Sequence, residues 1–382
     1  MNATGPLATL ADLVRINSVN PANADGSSEA GVVAYLRDYF ARRGIATREQ
    51  RVLPHRSNLI ARLPGRNPGR QILLEAHMDT ASAQGMTIPP FEPTITGGRL
   101  HGRGACDTKA GLAGMVEAVS SLADEGVTPP CEVWFAAVVD EEFAFRGVAA
   151  LCEGLVADAA IVAEPTELRL IIATKGVLRW HIGVHGRAAH SSKPHLGVNA
   201  IDHMARLVLA LRDLHARLAA HSHLLLGPAT GSIGIIRGGT QVNVVPETCV
   251  IEVDRRLLPG ERVDTVLASY QGVINTLRSR HPGFDATMEE PPLLVDEALE
   301  TPADAAPVRV AGAILGELGL DSGPGGVSYG SDASKLSRQG VPSIVFGPGS
   351  IDRAHAAEEY VETDQVLQAC EFYREFIRRF GA

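Results

Sequence analysis

Two rhythms of apolar residues divide this chain. In residues 29–43, EAGVVAYLRDYFARR, apolar positions recur at helical spacing, and Gly44 follows as a natural C-cap. Residues 71–77 (QILLEAH) and 131–140 (CEVWFAAVVD) are instead short, β-rich and apolar throughout, as strands buried on both faces are. Between them, the small-residue stretch 110–126 predicts an amphipathic helix ending at a glycine. DAAIVAEPT (158–166) predicts another strand, one that stops at a carboxylate. Strands alternating with helices predict an α/β domain with a mainly parallel sheet.

The texture changes near residue 174. VLRWHIGVHG (177–186) alternates, a helix follows over 198–219, and GSIGIIRGG and CVIEVDRRLL read as a hairpin-like pair. A second helix (261–279) and a short strand near 284–289 complete a β-α-β-β-α-β order, which predicts a ferredoxin-like α+β layer. Beyond 290 the pattern returns to helix, strand (PSIVFG, 342–347) and helix. The economical organisation is an α/β domain of residues 1–173 and 289–382, interrupted by an inserted α+β domain over 174–288. PPLLVDEALETP (291–302) is the nearest thing to a linker.

Composition narrows the setting. A formal net charge of −9 argues against nucleic acid or an anionic membrane as partner. The five cysteines are scattered, odd in number and without a C-x-x-C pair, which suits a reducing compartment. With no basic, apolar leader and no uninterrupted run of about 18 apolar residues, the expectation is a soluble cytoplasmic protein.

The polar residues that stop the strands carry the chemistry. The first strand ends in His77 and Asp79, two positions apart and so on one face. A glycine-rich loop (97–111) holds Asp107, the next strand ends in Asp140, Glu141 and Glu142, and the last in Glu164. In α/β sheets ligands collect beyond the carboxyl ends of the strands. Several carboxylates gathered there repel one another unless a cation joins them. Other chemistries lack their signatures. Gly102-Arg103-Gly104 has Asp107 where a dinucleotide fingerprint needs its third glycine, and no Gly-Lys-Ser/Thr follows for a phosphate loop. Ser191 and Ser192 have no nucleophile elbow, and Cys106 reads as a small packing residue.

HMD (77–79), GRGACDTKAG (102–111), DEE (140–142), AEPT (163–166) and GPGSIDRAH (347–355) resemble, in order, five blocks of the dinuclear zinc aminoacylase/carboxypeptidase family. Its members include acetylornithine deacetylase, succinyl-diaminopimelate desuccinylase and glutamate carboxypeptidases. The resemblance implies that His77, Asp107 and Glu164 hold one divalent metal ion and Asp107, Glu142 and His355 a second, with Asp107 bridging. It implies zinc, which such ligands suit, with cobalt or manganese able to take its place. Asp79 would then accept a hydrogen bond from the distal nitrogen of His77. Glu141 would be the general base for attack by a metal-bridging water, and the bond after Asp107 would be cis.

The same resemblance assigns the inserted domain a lid and dimerisation role, making the protein a homodimer. It places His190, in RAAHSSKP, at the oxyanion, and Arg256, the arginine of a D-x-R pattern, at a substrate α-carboxylate. Asn243, Gly330 and Ser331 would add substrate contacts. YGSDA (329–333) and GPGSIDRAHAAEEY (347–360) look closer to acetylornithine deacetylases than to desuccinylases. The implied activity is removal of the acyl group from a small N-acyl-L-amino acid. A carboxypeptidase or desuccinylase of the same family is the alternative, and a non-catalytic metal-binding or regulatory homologue the alternative of another class.

Overall fold

The computed structural model describes residues 5–382. The chain falls into two compact units. The first comprises Met1–Ile172, Glu300–Gly325 and Ser331–Ala382; the second comprises Ala173–Leu299 and Gly326–Gly330. No helix among the described residues is long and apolar enough to cross a membrane.

Six strands of a nine-stranded sheet run through the first unit: β1 (Ala46–Leu53), β2 (Arg56–Leu63), β3 (Asn67–His77), β4 (Cys131–Val138), β5 (Ala159–Val162) and β6 (Ser343–Val345), in the order β1-β2-β4-β3-β5-β6. Beyond β6 the sheet continues through the short strand Ile171–Thr174. The expectation of a mainly parallel sheet is corrected here: the sheet is mixed. The centre, β4-β3-β5-β6, is parallel, but β1 and β2 add to β4 as an antiparallel hairpin. β1 (ATREQRVL) is an outer strand with partly or fully exposed side chains, so it lacks the continuous apolar run that marks a buried parallel strand. By contrast, residues 72–77 of β3 are buried one after another.

The helix Lys109–Asp124 is buried along nearly its whole length, packing on the sheet and on the C-terminal helix Thr363–Arg379. Small residues permit this. At Gly111 an added Cβ would lie 2.5 Å from the Ala163 side chain, and at Gly114 it would lie 3.2 Å from the Tyr373 ring.

The second unit has its own core. Strands Gly176–His185, Thr230–Gly238, Thr248–Leu257 and Asp285–Met288 form an antiparallel sheet, with the first and third of these strands at its centre. Alternation puts Leu178, Trp180, Ile182 and Val184 on one face. The helix Ala200–Leu218 meets them with Ala200, Met204, Leu207 and Leu211, spaced three and four apart, and the helix Val263–Arg280 adds Tyr270 and Ile274. This is the β-α-β-β-α-β arrangement of a ferredoxin-like layer. Its boundary runs later than the pattern suggested. Within the stretch read as a linker, Leu294–Asp296 pairs with Val177–Arg179 and so joins the second unit's sheet.

Candidate functional site

Parallel pairing aligns three strand ends. His77, last in β3, lies opposite Val138 of β4, and Glu75 lies opposite Val162 of β5. The residues just beyond, Asp140–Glu142 and Glu164, therefore emerge beside His77 at one edge of the sheet. The loop before the helix Lys109–Asp124 reaches the same edge, where Thr108 Oγ1 donates to the Ala163 carbonyl at 3.0 Å. The Asp107–Thr108 bond is cis.

Two groups of donor atoms meet there: His77, Asp107 and Glu164, and Asp107, Glu142 and His355, the atoms of each lying within 4.8 Å of one another. Asp107 belongs to both. Its Oδ1 lies 3.1 Å from His77 Nε2 and its Oδ2 lies 3.3 Å from His355 Nε2, which is also 3.1 Å from Glu142 Oε1. One carboxylate thus faces two imidazoles through separate oxygens, as a bridging ligand must. Burial opposes its ionisation, yet the hydrogen bonds of His355 and His77 hold Asp107 well below the usual carboxylate range.

The remaining acids are crowded. Burial, then the charge of Asp107, pushes Glu164 well above the ordinary carboxylate range, and its Oε1 is buried without a partner. Burial, then the Glu164 charge, does the same to Glu141. A buried, unpartnered oxygen among carboxylates and imidazoles fits a divalent cation, which supplies the missing positive charge. The site is open on one side: the His355 side chain is 54% exposed while that of His77 is 2% exposed.

Asp79 behaves differently from the expected imidazole partner. His77 Nδ1 lies 2.9 Å from the Asp79 backbone oxygen, and the nearer carboxylate oxygen is 3.7 Å away. The carboxylate is taken up elsewhere. Oδ1 accepts the Glu141 N–H and Oδ2 the Glu142 N–H, each at 3.1 Å, and Asn20 Nδ2 donates to Oδ2 at 2.7 Å. Asp140, with φ 72, makes the left-handed turn that presents these two N–H groups to Asp79. Arg56 holds that turn, its Nη1 lying 3.0 Å from Asp140 while Glu29 grips its Nε and Nη2. Glu29, Arg56 and Asn20 escaped the sequence reading because no spacing links them to the ligands.

His190, Asn243, Arg256 and Gly330 belong to the second unit, and Ser331 to the first. His190 is in register with Val244, and the Ser191 N–H donates to the Asn243 carbonyl at 3.0 Å, so RAAHSS and QVNVVP run side by side. His190 Nδ1 lies 2.8 Å from Ser192 Oγ. Arg256 Nε donates to Asp254 at 2.9 Å. A Cβ at Gly330 would lie 2.2 Å from an Asp296 oxygen, and the Ser331 hydroxyl is buried.

The model of peptidase family M20/M25/M40 matches residues 73–379. An acetylornithine deacetylase of Myxococcus xanthus is 30% identical, covering 95% of this chain and 94% of that protein. A "Probable succinyl-diaminopimelate desuccinylase" of Staphylococcus aureus is 28% identical, covering 96% and 95%. The crystal structure of the aminopeptidase PepT from Bacillus cereus superposes with a TM-score of 0.80 at 22% identity, over 99% of this chain and 98% of that one, a likeness of fold.

Proposed function

The chain belongs to peptidase family M20/M25/M40, and on that premise we propose that it removes the acyl group from an N-acyl-L-amino acid. One observation carries this reading: Asp107 turns one oxygen to each of two imidazoles, beside a half-buried glutamate, Glu141, that belongs to neither group of donor atoms. Two relatives are named for removing an acetyl or a succinyl group from an amino-acid derivative. The stretches 329–333 and 347–360 favour an acetyl group, with acetylornithine first among substrates.

In this reading His77, Asp107 and Glu164 hold one zinc ion, and Asp107, Glu142 and His355 the other. When bound, the ions make water nucleophilic near neutral pH and polarise the amide carbonyl. Glu141 takes the proton of the attacking water and returns it to the leaving nitrogen. A carboxyl group raised by burial and by Glu164 suits a residue that must serve as base and then as acid. Asp79 fixes Glu141 through its backbone N–H. His190 donates to the oxyanion of the tetrahedral intermediate. Arg256 receives the substrate carboxylate, with Asn243, Gly330 and Ser331 contributing polar contacts.

Hydrolysis of N-acetyl, N-succinyl and N-formyl amino acids, each with zinc, cobalt or manganese, tests the proposal. The expected result is chelator-sensitive release of acetate, fastest from acetylornithine. Preference for N-succinyl substrates or for release of a C-terminal amino acid from peptides would move the chain to the desuccinylase or carboxypeptidase reading. No metal-dependent hydrolysis of any of them would overturn the activity.

A further inference from the structure

Glu359 lies four residues beyond His355 and is fully buried. Its carboxylate faces the loop that carries Asp107, which is distant in sequence. Oε1 accepts two consecutive backbone N–H groups, from Cys106 at 2.9 Å and from Asp107 itself at 3.0 Å. Oε2 receives Arg103 Nη1 at 2.5 Å, and the Glu359 carbonyl accepts the Gly102 N–H at 3.1 Å. Arg103 is 2% exposed, so the pair is buried together.

A buried carboxylate is unfavourable unless it is paired and its lone pairs are used. Here every such requirement is met by one loop, residues 102–107. Just after Glu359, Tyr360–Glu362 pairs antiparallel with Arg99–His101, just before that loop. The segment bearing His355 and the segment bearing Asp107 are therefore tied at two adjacent places. We infer that Glu359 and Arg103 are positioning residues that hold Asp107 and His355 in one frame, so that the bridging carboxylate meets both metal ions in register. Asp79 treats Glu141 and Glu142 in the same manner, one carboxylate accepting two consecutive N–H groups. Two such clamps would then fix both ligand-bearing loops.

The inference rests on the two-metal reading above, and metal binding itself separates the two. Wild-type protein, Glu359→Gln, Arg103→Met and Arg103→Lys are stripped with chelator. Zinc affinity is then measured by equilibrium dialysis and the Co(II) absorption spectrum by titration, with thermal unfolding of each apoprotein as a control for folding. In Glu359→Gln the amide N–H₂ must face either the guanidinium or the backbone N–H groups, donor against donor. The wild type is expected to bind two ions, with dissociation constants raised roughly 10- to 100-fold in Glu359→Gln and Arg103→Met. The Co(II) spectrum should change in both variants and return toward wild type in Arg103→Lys, which keeps the charge. Should Glu359→Gln not fold, the contrast between Arg103→Met and Arg103→Lys decides on the same two readouts. Wild-type affinity and spectrum in the variants, with two ions bound to wild type, would overturn this inference alone. A wild type that binds no ion overturns the functional reading, and this inference with it.

Discussion

Glu141 stands outside both ligand groups, so its charge can be removed without removing a ligand. Glu141→Gln is expected to retain two metal ions per chain while turnover falls about 100-fold or more, as for a lost general base. Metal content and turnover measured on one preparation check this, and near-normal turnover would take Glu141 out of the mechanism. Arg256 tests the other end of the substrate. If its planar fork reads the carboxylate, Arg256→Ala should cost roughly 2–5 kcal/mol in kcat/KM on carboxylate substrates and far less on their amides. Equal losses on both would assign Arg256 to holding Asp254, its partner at 2.9 Å. At this scale the sequence was informative about types of residue and weaker about contacts. The HMD block signalled that His77 and Asp79 work together. It gave no sign that the backbone oxygen, rather than the carboxylate, would meet the imidazole.

The helix Lys109–Asp124 couples packing to the site, because Gly111 presses on Ala163, the neighbour of Glu164. Gly111→Ala gains helix propensity of about 1 kcal/mol. It also forces a Cβ to 2.5 Å from the Ala163 Cβ, which has no rotamer by which to swing aside. Overpacking of this kind costs roughly 1–3 kcal/mol. A lowered Tm, with weaker metal binding through the displaced Glu164, is the expected outcome. Gly272, on the helix Val263–Arg280, is the contrast: an added Cβ would meet nothing within 4 Å. Gly272→Ala should raise stability by about 0.4–1 kcal/mol. If both substitutions shift Tm alike, close approach does not explain Gly111. The helix and the central strands were legible because their runs of apolar and small residues are local in the sequence. The hairpin of β1 and β2 was not, because a partly exposed antiparallel strand carries no continuous apolar run.

Across the whole molecule, the family resemblance implies a homodimer in which His190 serves the partner's site. Mixing inactive His190→Ala with inactive Glu141→Gln should then restore part of the activity through hybrid dimers. No recovery, once subunit exchange is demonstrated, would place the action of His190 within its own chain. The polar residues at the aligned strand ends, His77, Asp140–Glu142 and Glu164, were legible in sequence because each closes an apolar run. Such a run is local and leaves a mark along the chain. The second unit's β-α-β-β-α-β order was readable for the same reason, since alternation and helical spacing reflect one buried face per element. The mixed sheet, the grip of Asp79 on Glu141 and Glu142, the Arg56 turn and the clamp from Glu359 to Asp107 were decided only by the tertiary structure. Each joins groups far apart in the chain through hydrogen bonds to backbone or through buried ion pairs. Such contacts depend on where the folded core brings two segments together, and they impose no period or spacing that a linear pattern could reveal.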